Sequence, residues 1–335
     1  MVIKADHLYK EYKIQDRAES EKKGVIKSFF NRKYKTIKAL TDVSFEINEG
    51  ELVGYIGPNG AGKSTSIKLM CGILTPTEGT VELNGHDPNK NRKANAKDIG
   101  VVFGQRTQLW WDLPTSDSFQ LLKKMYKISD EDYKKRMAKI NELVSINEFI
   151  DNPVRNLSLG QKMRAEISAA FLHNPSIVFL DEPTIGLDIV SKRKIQEFIS
   201  EINKEYNTTI ILTTHDLSDV EALCQRIILI DKGMKLFDGS ISDLYSKYGN
   251  SETLTVTVDT NASEIKFEDS VFKNAEITVE KNQIDFRYDI NNTNHSVLLK
   301  ELFDSCNVID FSLKQTTIED IIHDLYLYKD YETRK

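Results

Sequence analysis

Nine residues between a predicted strand and a predicted helix have the composition of a phosphate-binding loop. Glycines allow the backbone N–H groups to turn inward around an anion, and the helix that begins near Gly62 adds the partial positive charge of its N-terminus. We expect Lys63 to reach the β- and γ-phosphates of a nucleotide and Ser64 to supply a hydroxyl ligand to Mg²⁺. The loop consists of Gly57, Pro58, Asn59, Gly60, Ala61, Gly62, Lys63, Ser64 and Thr65.

Two carboxylates follow the apolar segment Ile177–Leu180 and form a second candidate site. The carboxyl ends of parallel strands are where ligands bind in open α/β sheets. Asp181 suits an outer-sphere role on Mg²⁺, and Glu182 suits the general base that orients or deprotonates the attacking water. The alternative is a solvated pair that caps a helix, but the buried strand before it favours the catalytic interpretation.

An α/β core must position these groups. Four apolar segments alternate with helical patterns, and continuous apolar runs are typical of parallel strands buried on both faces. A polar, helix-rich stretch at 117–156 and a helix at 159–172 lie between them. Short strands are predicted at residues 2–9 and 43–47. The four apolar strands are expected at 52–56, 177–180, 209–213 and 226–230.

The pattern changes near Gly249, where a second domain is predicted. It alternates strands with helices and contains a hairpin around Lys281-Asn282, which indicates a small α+β domain. We therefore expect two domains, at 1–248 and 249–335. The strands of the second are predicted at 253–258, 276–279, 284–288 and 308–313, and its helices at 296–303 and 317–326.

Composition limits the classes of function. The chain has 335 residues and a net charge of −6, which excludes a nucleic-acid binder that works by bulk positive charge. No apolar run approaches the ~20 residues that span a bilayer, and no signal-peptide pattern follows Met1. Cys71, Cys224 and Cys306 are far apart and are expected to be reduced thiols. These features predict a soluble intracellular protein.

In their order and spacing, these motifs resemble the nucleotide-binding subunits of ATP-binding-cassette transporters over residues 2–245. The segment Leu157-Ser-Leu-Gly-Gln161 is similar to the signature loop of the family, with Leu159 in place of the usual glycine and with Ser158, Gly160 and Gln161 intact. The resemblance implies a P-loop NTPase fold with a RecA-like parallel sheet, an antiparallel β subdomain and a helical subdomain at about 106–172. It also implies ATP and Mg²⁺ as ligands.

The resemblance assigns further roles. Ser158 and the start of its helix would face the nucleotide of a second subunit, so that hydrolysis needs a head-to-tail dimer of this chain or of this chain with a homologue. Gln105 is similar to the glutamine that touches Mg²⁺ and relays to the membrane partner. Asp188, in Gly186-Leu187-Asp188, would lie at the dimer interface. His215 is similar to the switch histidine that contacts the γ-phosphate and holds Glu182.

Two tyrosines compete for the stacking position on adenine. Tyr12 ends the pattern of the first strand, whereas Tyr34 has the usual five-residue offset to Ala39 and is slightly preferred. Residues 13–33 between them are expected to be an insertion. It is basic and contains Phe29 and Phe30, so it could lie against lipid headgroups or a partner helix, or it could be a solvated loop.

The most similar branch contains exporters, on the segment Val102–Trp111, the signature loop and the ending Phe311–Asp320. The resemblance implies separate membrane permease subunits, with Trp110 and Trp111 near the contact, and a cytoplasmic chain held at the inner face of the membrane. An importer subunit is the first alternative. A soluble ATP switch on ribosomes or DNA is less favoured, because the chain has neither a second cassette nor a long coiled-coil insertion, and no nucleic-acid partner is expected.

Overall fold

The computed structural model describes residues 1–15, 34–104, 106–259, 262, 272 and 275–332. They divide into two compact units, Met1–Gly239 and Ser240–Lys335. The boundary predicted from the sequence lies after residue 248. The helix Ile241–Tyr248 is grouped with the second unit, where it contacts the final helix.

The first unit is built on a nine-stranded sheet. Its strands are β1 (Ile3–Gln15), β2 (Tyr34–Ile47), β3 (Leu52–Ile56), β4 (Glu78–Leu83), β5 (Ile99–Phe103), β6 (Ile177–Asp181), β7 (Thr209–Thr213), β8 (Arg226–Asp231) and β9 (Met234–Ser240). Their order is β4-β1-β2-β9-β8-β3-β7-β6-β5. The run from β8 to β5 is parallel, whereas β1 pairs antiparallel with β2 and β4. The predicted α/β P-loop fold with an antiparallel subdomain is confirmed.

Continuous apolar sequence explains the parallel region. Every residue of β3 and β7 is buried, as are the first four residues of β6. A strand covered on both faces by helices needs no polar face, which is why these segments do not alternate. Because β3, β6 and β7 are neighbours, their carboxyl ends meet at one edge of the sheet, directly before the loops that carry the candidate site residues.

Seven helices complete the described part of the first unit. They are α1 (Lys63–Met70), α2 (Arg92–Asp98), α3 (Thr115–Tyr126), α4 (Asp130–Val144), α5 (Leu159–Phe171), α6 (Ile189–Tyr206) and α7 (Leu217–Leu223). On α6 the buried residues Ile195, Phe198, Ile199 and Ile202 follow the helical repeat. Helices α3, α4 and α5, with two short 3₁₀ turns between them, form the predicted helical subdomain.

Strands β1 and β2 extend well beyond the predicted short strands. They form an antiparallel hairpin whose register runs from Ile3–Ile47 to Gln15–Tyr34. The far end of β2, Tyr34–Lys38, is exposed, so no apolar periodicity in the sequence marks it. Most of the predicted insertion, including Phe29 and Phe30, lies outside the described residues.

The second unit is an α+β domain with a four-stranded antiparallel sheet. Its elements are α8 (Ile241–Tyr248), β10 (Ser251–Val258), β11 (Ala275–Glu280), β12 (Gln283–Asp289), α9 (His295–Ser305), β13 (Val308–Gln315) and α10 (Ile318–Glu332). The strand order is β11-β12-β10-β13. Leu254, Val256, Ile284 and Phe286 of the sheet form a core with Leu298 and Leu302 of α9.

Candidate functional site

The loop between β3 and α1 is shaped by close packing at its glycines. Gly62 has φ 111°, a left-handed conformation that side chains disfavour, and a Cβ there would lie 2.7 Å from the carbonyl oxygen of Ala39. A Cβ at Gly57 would lie 2.5 Å from the carbonyl oxygen of Ile230. By contrast, a Cβ at Gly60 would meet no atom within 4 Å. The loop is therefore pinned at both ends and open in the middle.

Lys63 lies at the centre of this loop. Its ammonium group donates to the carbonyl oxygens of Gly57 at 2.6 Å and Pro58 at 3.2 Å, and the residue is only 7% exposed. Burial lowers the pKa of Lys63, while the nearby Glu182 and Asp181 oppose that shift. A cation held by two neutral carbonyls and little solvent gains by contact with an anion, so the site suits a phosphate.

Asp181 joins the loop to the sheet. At the end of β6 its carboxylate accepts a hydrogen bond from Ser64 Oγ at 3.2 Å and another from Thr213 Oγ1 at 2.5 Å. A hydroxyl and a carboxylate are the oxygen donors that Mg²⁺ prefers, and Mg²⁺ sites commonly take the remaining ligands from phosphate and water. Among the described residues, no group of three or more His, Cys, Asp or Glu is placed to hold a metal alone. The donor set therefore fits Mg²⁺ together with a nucleotide.

Glu182 and His215 meet above the same edge. The distance from His215 Nδ1 to Glu182 Oε1 is 3.4 Å. Glu182 has φ 55°, a left-handed conformation for a residue other than glycine, and its N–H donates to the carbonyl oxygen of Thr213 at 2.9 Å. Such backbone conformations cost about 1–3 kcal/mol and are found where the surrounding structure imposes them. The arrangement directs a carboxylate and an imidazole to one point.

A cavity of about 620 Å³ lies in front of the phosphate loop, Asp181 and Glu182, whereas His215 is not among the residues that line it. The predicted residues that line it are Tyr12, Pro58, Asn59, Gly60, Gly62, Lys63, Ser64, Thr65, Asp181 and Glu182. Lys38, Lys68 and Arg106 also line it, although they were not among the predicted site residues. Only Lys68 lies near the glycine-rich loop in the sequence, so the positions of Lys38 and Arg106 at the cavity carried no local signal.

The two candidate tyrosines are placed differently. Tyr12 pairs with Ile37 in the β1–β2 hairpin, and both line the cavity. Tyr34 pairs with Gln15 further along the hairpin, is 59% exposed and is not among the residues that line the cavity. The structure thus brings Tyr12, rather than the preferred Tyr34, to the nucleotide-sized space. Tyr34 and Ala39 both lie on β2, and of the two only Ala39 lines the cavity.

The residues that resemble the signature loop lie away from the cavity. Ser158 caps α5, accepting from Gln161 N–H at 3.2 Å, while its own N–H donates to Gln161 Oε1 at 2.9 Å. A Cβ at Gly160 would lie 2.5 Å from Ser191 Oγ, which donates to Asp188 Oδ2 at 2.7 Å. The bonds from Ser191 hold the pKa of the Asp188 carboxyl below its usual range. These groups form one cluster, and none of its members lines the cavity.

Segment 107–111 is fastened to α5. The buried carboxylate of Glu166 accepts from Thr107 Oγ1 and, at 3.1 Å, from Gln108 N–H. Burial raises the pKa of Glu166. The ammonium of Lys162 lies 4.7 Å from the centre of the Trp111 ring. Gln105 itself lies outside the described residues, although both of its neighbours line the cavity.

Comparison with known proteins identifies the family. The family model of ABC transporters matches residues 40–185. The chain is 33% identical over 216 residues to the ABC transporter ATP-binding protein NatA of Bacillus subtilis, a match covering 64% of this chain and 87% of that protein. It is 35% identical to the linearmycin resistance ATP-binding protein LnrL of the same organism, covering 64% and 69%. The chain belongs to the ABC transporter ATP-binding proteins.

Other ATP-binding subunits of ABC transporters are informative about the direction of transport and about the dimeric, nucleotide-bound state. The methionine import ATP-binding protein MetN 2 of Enterococcus faecalis is 32% identical to this chain, covering 66% of this chain and 65% of that protein. A dimeric, post-hydrolysis structure of the ATP-binding cassette MJ0796 with ADP and Pi is 28% identical, with a TM-score of 0.59, and covers 71% and 98%. These relatives support ATP hydrolysis by the ABC cassette. In the described parts of this ABC subunit, no helix combines the length and apolar character that crossing a bilayer requires.

Proposed function

We propose that this chain is the ATP-hydrolysing subunit of an exporter and that it acts as a head-to-tail dimer on separate permease subunits. One observation carries the dimer: the cavity contains Lys63, Asp181 and Glu182 but none of Ser158, Gly160, Gln161 or Asp188. The N-termini of α1 and α5 both suit an anion, but within one chain only that of α1 lies at the cavity. A second copy can bring its own α5 N-terminus to this cavity. The MJ0796 structure, which is dimeric, supports a dimer of such cassettes.

Each residue at the cavity has a distinct task in this proposal. The loop N–H groups and Lys63 bind the β- and γ-phosphates, which releases the lysine from the carbonyl groups of Gly57 and Pro58. Tyr12 stacks on the adenine ring. Ser64 and Asp181, with Gln105, would hold Mg²⁺. Bound there, Mg²⁺ would supply positive charge that offsets the charge on the phosphate oxygens.

Glu182 and His215 carry the proton and water chemistry. Glu182 accepts a proton from, or orients, the water that attacks the γ-phosphorus, because its carboxylate lies at the strand end beside the phosphate loop. The contact with His215 fixes the direction of that carboxylate. Hydrolysis breaks the bond between the γ-phosphorus and its bridging oxygen, and the separated products no longer hold the two copies closed.

An exposed apolar patch supports the membrane partner. It consists of Trp110, Trp111, Leu121 and Met125, which are 39, 50, 36 and 66% exposed. Leu121 and Met125 lie one turn apart on α3, and the tryptophans lie shortly before that helix. Aromatic and methionine side chains are enriched at interfaces, so we place the permease contact here. Glu166 and Lys162 connect the patch to α5, whose first turn carries the signature-like residues.

Complementation tests the shared site. Lys63→Ala and Ser158→Arg chains should each lose most ATPase activity. Mixing them creates dimers in which one site combines an intact phosphate loop with an intact Ser158, so activity should partly return. If mixing restores nothing while both variants stay folded and bind each other, the head-to-tail site is wrong.

A capping control separates structure from chemistry. Ser158 and Ser240 both form capping boxes, with Gln161 and Asp243 respectively. Ser158→Ala and Ser240→Ala should each cost about 1 kcal/mol of stability. We expect only Ser158→Ala to reduce ATP hydrolysis strongly. Equal losses of activity would mean that Ser158 serves only the helix.

The export direction rests on the relatives. The name of LnrL refers to linearmycin resistance, which favours outward transport for this chain. Import is the second candidate, because MetN 2 is named for methionine import. Purification of the complex from detergent-solubilised membranes distinguishes them. An exporter should yield this chain with permease subunits alone, and an importer should also require an external substrate-binding protein for stimulated ATPase activity.

A further inference from the structure

Strand β13 forms one edge of the C-terminal sheet and exposes apolar side chains there. Phe311 and Leu313 lie directly opposite Val256 and Leu254 of β10, so all four point to the face that carries the core. Val256 and Leu254 are fully buried, whereas Phe311 is 48% exposed and Leu313 is 39% exposed. Edge strands normally avoid such a stripe, because it invites pairing with another chain.

The backbone groups of these two residues also face outward. Val258 N–H donates to Asn282 O on the β12 side, and Asp259 N–H donates to Asn307 O on the β13 side. Backbone groups alternate along a strand, so odd-numbered residues of β10 bond to β13.

The same alternation settles which residues of β13 bond inward. Thr255 lies opposite Ser312, so Ser312 points its backbone groups to β10. Phe311 and Leu313 point theirs to the free edge, the edge with which no strand among the described residues pairs. The Phe311 N–H indeed donates to the side chain of Asp310, at 2.9 Å, rather than to a strand. The edge is therefore both apolar and ready to form main-chain bonds.

We propose that β13 pairs antiparallel with β13 of a second copy about a two-fold axis at Ser312. In this register Phe311 lies opposite Leu313 twice, as hydrogen-bonded pairs. Asp310 lies opposite Lys314 twice, on the other face. Opposite charges and apolar pairs across strands each stabilise a sheet, and a two-fold interface must be self-complementary in this way.

Neighbouring registers lack this complementarity. An axis at Phe311 sets Asp310 against Ser312, and an axis at Leu313 sets Lys314 against Ser312, so the opposed charges disappear. A bulge at Ile309, between the Val258–Val308 and Thr257–Asp310 pairs, ends the regular part of the strand. Charge and strand length thus select one register.

The pairing joins two C-terminal sheets into one of eight strands and needs no nucleotide. It is independent of the head-to-tail ATPase dimer, so the two proposals can fail separately. Its consequence is that the two copies stay associated in the absence of ATP, which raises the local concentration of each ATPase unit for the other.

Cross-linking without nucleotide tests the register. In a Cys306→Ser background, Ser312→Cys places two thiols at a non-hydrogen-bonded pair, where cross-strand side chains are closest. Thr278→Cys, exposed on the opposite edge strand β11, is the control. S312C should form a disulfide dimer at least about tenfold faster than T278C. Equal rates, or faster linkage of T278C, overturn the proposal.

Charge reversal tests the same register without a thiol. Sedimentation without nucleotide should show a dimer for the natural chain and a loss of dimer for Asp310→Lys and for Lys314→Asp. Mixing the two variants should restore the dimer, because positions 310 and 314 are then both positive in one copy and both negative in the other. Lys314 also lies 3.1 Å from Asp320, so Lys314→Asp removes an ion pair within the chain as well. Circular dichroism must therefore show that both variants are folded, and Asp310→Lys is the more specific of the two. A natural chain that is monomeric throughout a concentration series, or variants that dimerise equally well, overturns the proposal.

Discussion

Glu182 Oε1 lies 3.4 Å from Nδ1 of His215, although the two residues are more than thirty positions apart in the chain. They meet because β6 and β7 are adjacent parallel strands, and Asp181 pairs with Thr213 at their ends. The Glu182 N–H donates to the Thr213 carbonyl, which fixes the turn that aims the carboxylate. The contact joins the proposed base to the residue proposed to sense the γ-phosphate.

Removing the charge of Glu182 should stop hydrolysis and preserve binding. Glu182→Gln keeps the shape of the side chain but cannot accept a proton from water, so we expect ATPase activity to fall by about 10²-fold or more. ATP should then hold the variant as a closed dimer, measured by sedimentation with and without ATP in an Asp310→Lys background, where the proposed pairing through β13 is broken. Glu280→Gln, at an exposed position of β11, is the control. Near-natural turnover by E182Q would remove Glu182 from its role.

Replacing Tyr12 should weaken nucleotide binding. Tyr12 lines the cavity, and loss of ring stacking on a base costs about 1–3 kcal/mol, or about 5- to 150-fold in affinity. Tyr34→Ala is the matched control, because Tyr34 lies on the same hairpin outside the cavity lining. Titration with a fluorescent ATP analogue measures both. A larger loss for Tyr34→Ala than for Tyr12→Ala would reverse the assignment.

Asp219 should prove important for both stability and activity. Its fully buried carboxylate accepts from Thr184, from Gln196 Nε2 at 2.7 Å and from Lys192 Nζ at 3.1 Å. Thr184 follows Glu182 by two residues, so the network holds the turn at the site. Asp219→Ala leaves a buried cluster without its anion and should cost about 3 kcal/mol in urea unfolding, with reduced ATPase activity.

The more exposed Asp216, which also pairs with Lys192, provides the comparison. Asp216→Ala should cost about 1 kcal/mol, chiefly through loss of the cap on α7. If the two variants unfold at the same urea concentration, the buried network does not stabilise the fold as we argue.

His173 should make stability depend on pH. Its Nε2 lies 3.0 Å from the carbonyl oxygen of Ile99, and its ring stacks on Tyr126 at 3.9 Å. Burial lowers the pKa of His173 to about 4, so the folded state holds the neutral ring. The unfolded chain binds the extra proton below its ordinary pKa of about 6.5. Stability is therefore retained above that pH and falls as the pH drops towards 4.

The slope due to His173 has an upper limit of about 1.4 kcal/mol per pH unit. Urea unfolding between pH 7.5 and pH 4.5 should show a shallower pH dependence for His173→Gln than for the natural chain. His323→Gln, on α10, is the control, because that side chain is 70% exposed. Identical slopes for the natural chain and H173Q would contradict the burial argument.

The two tryptophans of the exposed apolar patch should affect binding to the permease subunits and not ATP hydrolysis itself. Trp110→Ala with Trp111→Ala leaves the cavity intact, so the isolated chain should keep its basal ATPase activity. Copurification with permease subunits from membranes should fall at least about tenfold, as expected when interface aromatic residues are removed. Val297→Ala, at an exposed position of α9, is the control. Undiminished copurification would place the membrane contact elsewhere.

The sequence alone predicted the phosphate loop and most of the core. Glycines, Lys63 and Ser64 at fixed spacing, and carboxylates after a continuous apolar strand, can be predicted because local backbone geometry and burial dictate those residue types. The α/β class followed from the same runs, whereas the α+β class of the second unit followed from its alternation of strands and helices and its hairpin. The roles of Ser158, Gln105 and His215 came from resemblance to the family and remain proposals for this chain.

Only the tertiary structure decided which side chains meet. The long exposed hairpin of β1 and β2 has no apolar signal, so the placement of Tyr12 and Tyr34 could not be predicted from their offsets. Asp219 is polar and lies 35 positions after Thr184, and only the packing of α6 and α7 beside β6 and β7 brings it to Thr184 and Lys192. The free edge at Phe311 likewise depends on strand order. Contacts between distant segments are set by topology, and local sequence carries little information about it.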